Sequence, residues 1–213
     1  MTKTVIAGAG GFGIEVAGIM KALSNYEVVG FLDNNPEKKG VIIGNLPVLG
    51  DDSKLQDLTT LGVSAIVVAV GAGNVRQQLS QRALEHGYTL PAIIHPKAYV
   101  ASDVIIGTGV IIYPNATIMP GCHLHDGVLI NAGAVLGHEV IVGQYSNINT
   151  ASIAGRVSIG EQVLIGIGST VLENRSIGDG ATIGAGAVVT RDISPRVTVV
   201  GIPATPLQSG NSR

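Results

Sequence analysis

The sequence predicts a small α/β domain followed by a solenoid of short parallel β-strands. Three observations carry this. Strand and helix patterns alternate up to about His86, and from Ile94 onward apolar residues recur every six positions. Composition is the third: Gly makes up 30 of 213 residues, about twice the usual share, while aromatics make up 3% and Trp is absent. A core without aromatic rings has to be filled by Val, Ile, Leu and Ala in a regular lattice, which points to a repeat.

In the first part, Thr4 to Ala7 and Val28 to Leu32 read as strands, and Ala65 to Val70 reads as a fully buried one. Ile14 to Leu23 has helical spacing. So has Asn74 to His86, with Val75, Leu79 and Ala83 on one face. Alternating strands and helices imply a parallel sheet with crossover helices. Three such strands make about half of a dinucleotide fold. Gly8-Ala-Gly-Gly-Phe-Gly13 is a G-x-G-x-x-G between a strand and a helix, and Asp33 follows twenty residues beyond Gly13. Backbone N–H groups at a helix N-terminus suit a phosphate, and an acid at the end of the second strand suits a ribose or base edge. Alone, the same glycines also fit a tight turn that only packs the helix.

In the second part the apolar series runs Ile94, Val100, Ile106, Ile112, Ile118, Leu124, Ile130, Leu136, Val142, Ile148 and Ala154. A step of five then leads to Ile159, Ile165, Val171, Ile177, Ile183 and Val189. The residue after each is often Gly, as at Gly107, Gly137, Gly143, Gly155, Gly160, Gly166, Gly178 and Gly184, or Asn, as at Asn131 and Asn149. These types accept the positive φ that a sharp corner could require. Two residues before each apolar site sits a small side chain, such as Ala116, Cys122, Ala134 or Ser146, and Arg175 breaks that rule. One hexad would then be one flat side of a triangular coil, and three hexads one turn. Leu136 points inward in this frame, which leaves His138 on the outer surface, and His123 and His125 flank inward Leu124 and also point outward.

The hexads Val104-Ile-Ile-Gly-Thr-Gly and Arg175-Ser-Ile-Gly-Asp-Gly resemble the hexapeptide-repeat acyltransferases. Four further stretches narrow the resemblance: Ala7-Gly-Ala-Gly-Gly-Phe-Gly-Ile-Glu-Val, Gly30-Phe-Leu-Asp-Asn, Leu136-Gly-His-Glu and Gly201-Ile-Pro-Ala. Together they look like the sialic-acid O-acetyltransferase and UDP-bacillosamine N-acetyltransferase (NeuD/PglD-like) family, over essentially the whole chain. The resemblance implies a Rossmann-like nucleotide-sugar domain over 1–90, a left-handed parallel β-helix over 91–200, and a terminal loop and tail over 201–213. It implies transfer of an acetyl group from acetyl-CoA to an amino or hydroxyl group of a nucleotide-activated sugar, a UDP-amino sugar being favoured, in surface glycan biosynthesis. It also implies a homotrimer with CoA between neighbouring coils.

Residue by residue, the resemblance makes His138 the general base, with Glu139 holding its ring; an imidazole ordinarily titrates near neutrality, as that role requires. Gly11, Phe12, Gly13, Asp33, Asn34 and Gly71 become the sugar-nucleotide candidates. Asn147, Gly155, Ile167 and Ala185 become the acetyl-CoA candidates. The chain departs from its relatives at Phe12 and Asn147, where they usually carry His, and at Thr205, where a basic residue is common. Those departures motivate the alternative of a sugar-nucleotide-binding or scaffold protein without activity. The histidine spacing does not match the zinc-binding carbonic anhydrases built on such a solenoid, so no metal is expected and a metal-dependent lyase is a weaker reading. Cys122, the only cysteine, sits at a small inward position and reads as packing. A net charge of −2 argues against nucleic acid. No apolar run reaches the roughly 18 residues of a membrane span. With no signal-peptide pattern at the start, a cytoplasmic enzyme is expected.

Overall fold

The computed structural model describes residues 1–207 and divides the chain into two compact units, Met1–Pro96 and Lys97–Arg213. The part of the 201–213 tail from residue 208 on lies outside the described residues.

The first unit is a five-stranded sheet. Its elements are β1 (Thr2–Ala7), α1 (Gly11–Lys21), β2 (Tyr26–Leu32), β3 (Ile42–Ile43), β4 (Leu46–Gly50), β5 (Ala65–Val68) and α2 (Gly73–Glu85). The strand order is β3-β4-β2-β1-β5, with β4, β2, β1 and β5 parallel and β3 antiparallel to β4. A two-residue strand, Ile93–Ile94, ends the unit. Period-two alternation sends Val5, Ala7, Leu32, Ile66 and Val68 to one face, where they pack with Ala83, Leu55, Leu58 and Tyr88. The sheet has a fourth parallel strand, β4, that the sequence pattern does not reveal: Pro47 and two flanking glycine turns hide it. The face of α2 also differs from expectation. Arg76, Ser80 and Ala83 are its buried residues, whereas Val75 is 38% exposed.

The second unit is a triangular parallel β-helix whose strands are two residues long, except for the three-residue Thr198–Val200. One face stacks Tyr99–Val100, Thr117–Ile118, Val135–Leu136, Ser152–Ile153, Thr170–Val171 and Val188–Val189. The next stacks Ile105–Ile106, His123–Leu124, Ile141–Val142, Ser158–Ile159 and Ser176–Ile177. The third includes Ile111–Ile112, Leu129–Ile130, Asn147–Ile148, Leu164–Ile165, Thr182–Ile183 and Thr198–Val200. Each strand pairs in parallel with the one a full coil away, as in Thr117↔Tyr99 and Leu129↔Ile111. Ile112, Ile118, Leu124, Ile130, Leu136, Val142 and Ile148 are all 0% exposed, so the hexad residues do form the interior. The small residues two positions earlier complete it, with Ala116, Val128, Ala134 and Val140 also at 0%. Inward Ser146 is satisfied: its hydroxyl donates to the Gly160 carbonyl at 2.7 Å and accepts from the Val163 N–H at 2.9 Å.

Two details correct the sequence reading. The five-residue step falls between Ile148 and Ile153, one hexad early, because Leu136 registers with Ile153 and not with Ala154. Ile153 is 2% exposed, whereas Ala154 lies at the corner. Nor do the glycines that follow the apolar residues take positive φ. That conformation falls two residues later, at Gly109, Glu139, Tyr145, Gln162, Gly168, Gly180 and Gly186. The first glycine of each corner is required by close approach between coils instead. A Cβ on Gly137 would lie 2.7 Å from the Gly155 nitrogen, and one on Gly143 would lie 2.5 Å from the Gly160 carbonyl carbon.

Candidate active site

In the first unit, a cleft of about 190 Å³ opens at the carboxyl ends of β1, β2 and β5. Its lining includes Gly8, Asp33, Asn34, Asp52, Val70 and Val75. The sheet order places the turn of connection direction between β1 and β5, which is where parallel α/β sheets hold their ligands. The glycines of the loop divide into two kinds. A Cβ on Gly8 would sit 2.4 Å from the Ala69 carbonyl oxygen, and one on Gly13 only 1.9 Å from that of Gly8, so both are demanded by packing. At Gly10, Gly11 and Gly71 a Cβ would meet nothing within 4 Å. Packing does not explain those three. Gly10 is the N-cap of α1 and provides no side-chain hydrogen bond to the helix end. Phe12, beside it, is half-buried.

Asp33 braces this loop. Its Oδ2 accepts from the Ala9 N–H at 2.9 Å and from Lys38 Nζ at 2.8 Å, and its Oδ1 accepts from the Asn35 N–H at 2.9 Å. Burial opposes ionisation, yet the Lys38 ammonium and the two backbone donors outweigh it and hold the carboxyl below its ordinary range. A depressed carboxyl stabilises the folded state above the unfolded-state value and loses that contribution as pH falls through the folded one. The stability advantage of the parent protein over Asp33→Asn should therefore shrink as pH drops below about 4, followed by thermal unfolding across pH. Asn34 turns its side-chain oxygen to the Asp52 N–H at 3.1 Å, and Asp52 in turn pairs with Arg82.

Sequence reasoning missed Arg76. It is 2% exposed and donates to the carbonyls of Val70 at 2.7 Å and Gly71 at 3.0 Å, which fixes the loop after β5 along the cleft. Its place on the apolar face of α2 was the available signal, but an arginine there reads as a solvated residue.

In the second unit, His138 and Glu139 occupy the corner after Val135–Leu136. Glu139 takes the left-handed backbone at φ 59°, and the His138 carbonyl accepts from the Arg156 N–H of the next coil at 2.8 Å. The His138 side chain is 50% exposed. Its Nδ1 lies 3.0 Å from Glu139 Oε2, which directs Nδ1–H to the carboxylate and leaves Nε2 to accept a proton. Gly155 lies directly beneath the ring, since a Cβ there would come within 2.5 Å of His138 Nε2. Arg156 Nε donates to the same Glu139 Oε2 at 3.1 Å. The His138 imidazole, then the Arg156 guanidinium, hold the Glu139 carboxyl below its usual range.

The acetyl-CoA candidates do not form one cluster. Gly155 shares the edge of His138 and Glu139. Ile167, 64% exposed, and Ala185 lie on the neighbouring edge, where the Gly186 N–H donates to the Ile167 carbonyl at 2.8 Å. Asn147 points outward from the face leading to that edge. The terminal segment pairs Thr198–Val200 with Thr205–Pro206 in antiparallel fashion, and the Ile202–Pro203 peptide bond between them is cis. The rings of His123 and His125 stack with centroids 4.0 Å apart. Among the described residues no three His, Cys, Asp or Glu side chains gather as a metal site. Cys122 is buried, and burial pushes its thiol up, away from the reactive thiolate.

Comparison with known proteins places these features. Residues 3–83 match the PglD N-terminal domain family, and residues 156–191 match the bacterial transferase hexapeptide (six repeats) family. No curated protein gives a significant match. Among solved structures, the acetyltransferase domain of PglB from Neisseria gonorrhoeae is 36% identical, over 97% of this chain and all of that one, with a TM-score of 0.92. It has also been solved with acetyl coenzyme A, at 36% identity over 96% of this chain and 98% of that one, with a TM-score of 0.91. PerB from Caulobacter crescentus, in complex with CoA and GDP-perosamine, is 32% identical over 97% of this chain and 98% of that one, with a TM-score of 0.91. Motif, coil geometry and whole-length similarity agree: the chain belongs to the NeuD/PglD-like family of acetyltransferases, a small α/β domain joined to a left-handed parallel β-helix of hexapeptide repeats.

Proposed function

We propose that this protein is an acetyl-CoA-dependent sugar N-acetyltransferase whose acceptor is the amino group of a nucleotide-linked sugar, with His138 as general base. The observation that carries the reading is the outward His138, its Nδ1 held by Glu139 and its Nε2 left to accept a proton. The amine lone pair attacks the thioester carbonyl carbon while an N–H proton passes to His138 Nε2. The C–S bond then breaks, and the departing thiolate takes a proton from the imidazolium. Both substrates are bound together, so the rate comes from positioning and base assistance. The G-x-G-x-x-G loop and the cleft behind it would hold the nucleotide, with Gly11, Phe12, Gly13, Asp33, Asn34 and Gly71 around it. The amine is favoured over a hydroxyl because PerB is described as an N-acetyltransferase and is solved with GDP-perosamine. That complex also puts GDP-linked acceptors beside the UDP-linked ones as candidates.

The split of Gly155 from Ile167 and Ala185 supports a homotrimer. One CoA reaches both sets most simply where the edge of one protomer meets the neighbouring edge of another. Exposed apolar residues at Tyr99, Val135, Ile105 and Ile141 give such packing an apolar surface to bury. Among the described residues no helix is long and apolar enough to cross a membrane. The reaction is assigned to the cytoplasm and to surface glycan biosynthesis.

The test is thiol release from acetyl-CoA against UDP-, GDP-, dTDP- and CMP-linked sugars, with and without amino groups. Release with one amino sugar, together with a mass gain of one acetyl group on it, is the expected result. If no acceptor releases thiol while nucleotide sugars still raise the melting temperature, the inactive binding-protein reading replaces this one. The departures at Phe12, Asn147 and Thr205 favour that second reading.

A further inference from the structure

We infer that Arg156 is a positioning residue for the transfer: from the coil below, it holds Glu139 in the orientation that fixes the His138 ring and its tautomer. The inference rests on the reading of His138 as the base. Three distances carry it. Arg156 Nε lies 3.1 Å from Glu139 Oε2, that same oxygen lies 3.0 Å from His138 Nδ1, and the Arg156 N–H lies 2.8 Å from the His138 carbonyl.

Both ends of the arginine are therefore tied to the dyad, its backbone to His138 and its guanidinium to Glu139. Neither residue of the dyad is buried: the Glu139 side chain is 60% exposed and that of His138 50%. An exposed glutamate has several rotamers of similar energy, and nothing in the core selects the one that reaches Nδ1. The guanidinium supplies that selection. Register explains why it arrives there. The shortened coil pairs Leu136 with Ile153, which sets Gly155 under His138 and Arg156 under Glu139. Arg156 adopts φ 56°, the corner conformation shared with Glu139 at φ 59°, so the two corners stack in phase.

The arginine also sets the charge beside the base. Along this edge the other charged and titratable groups among the described residues are Asp103, which accepts from the Gly121 N–H, Glu173, Arg191, the Arg175–Asp192 pair and inward Cys122, with His123 on the adjoining face. Arg156 is the cation that bonds to Glu139. Without it, Glu139 would lose the bond that ties its carboxylate to the coil below.

Arg156→Met keeps the side-chain stem and removes the donor. It should lower kcat by about tenfold with little change in KM for either substrate. Arg156→Lys should restore most of the loss. In a Glu139→Gln background the Met substitution should add nothing, because the arginine acts through Glu139. A parent kcat in Arg156→Met would overturn the inference. So would a rise confined to the KM for acetyl-CoA, which would make Arg156 a CoA ligand. His138→Ala separates the two readings: if it retains full turnover, the base assignment fails and this inference with it. If His138→Ala is inactive while Arg156→Met behaves as the parent, only the role of Arg156 fails.

Discussion

His138→Ala should lower kcat by about 10²–10⁴-fold, the range a positioned general base contributes, while leaving the melting temperature within about a degree of the parent. The separation follows from geometry. The ring stands on the outer surface of a corner and packs under no core residue, so its removal opens no cavity. Its backbone carbonyl, which accepts from Arg156, is unchanged by the substitution. A weaker version of the same loss should come from Gly155→Ala. A Cβ there would enter the space of Nε2 at 2.5 Å, and the imidazole would have to swing off the coil. A displacement on the order of 1 Å at a reacting group can cost about a hundredfold, so Gly155→Ala should fall between the parent and His138→Ala. Steady-state thiol release with the active acceptor checks both. If His138→Ala turns over like the parent while its fold is intact, the dyad is an ordinary surface pair.

Much of this site is readable from the residues because the solenoid is nearly one-dimensional. Once the hexad frame is set at Leu136, inward and outward positions follow by counting, and His138 falls outside without any tertiary information. What counting cannot give is which coils face each other when the period slips. Ala154 and Ile153 are both apolar, so composition allows either as the inward residue. Only the strand register Leu136↔Ile153 decides, and with it the placing of Gly155 and Arg156. Arg156 went unnoticed for that reason: it is seventeen residues from Glu139, and its contact depends on the single shortened coil. The corner glycines misled differently. Glycine serves both positive φ and close approach, and the sequence does not distinguish them. The left-handed positions here include Glu139, Tyr145, Arg156 and Gln162, residue types that carry no warning of it. In the α/β domain the parallel strands flanking β1 were legible from their apolar runs. β4 was not, because Pro47 and the glycines at either end, Gly44 and Gly50, break up a five-residue run and remove the signal.

The same ambiguity of glycine gives the other large expected effect, in the nucleotide loop. Gly13→Ala should destabilise the α/β domain by about 3 kcal/mol or more. The new Cβ would fall 1.9 Å from the Gly8 carbonyl oxygen, and that obstacle is backbone which cannot rotate away. Gly8 is itself pinned against Ala69, so the strain would spread to β1 and the loop after β5. Gly11→Val should behave in the opposite way. Nothing lies within 4 Å of its Cβ, and glycine is a poorer helix former than valine, so stability should hold or rise slightly. The valine would instead stand over the uncapped start of α1, where a phosphate would approach the backbone N–H groups. We expect its KM for the nucleotide sugar to rise at least tenfold while KM for acetyl-CoA is unchanged. Thermal unfolding and two-substrate kinetics on the pair make the distinction. If Gly11→Val keeps the parent KM, the loop is a packing turn that Gly8 and Gly13 already explain, and the nucleotide must be held elsewhere in the protein.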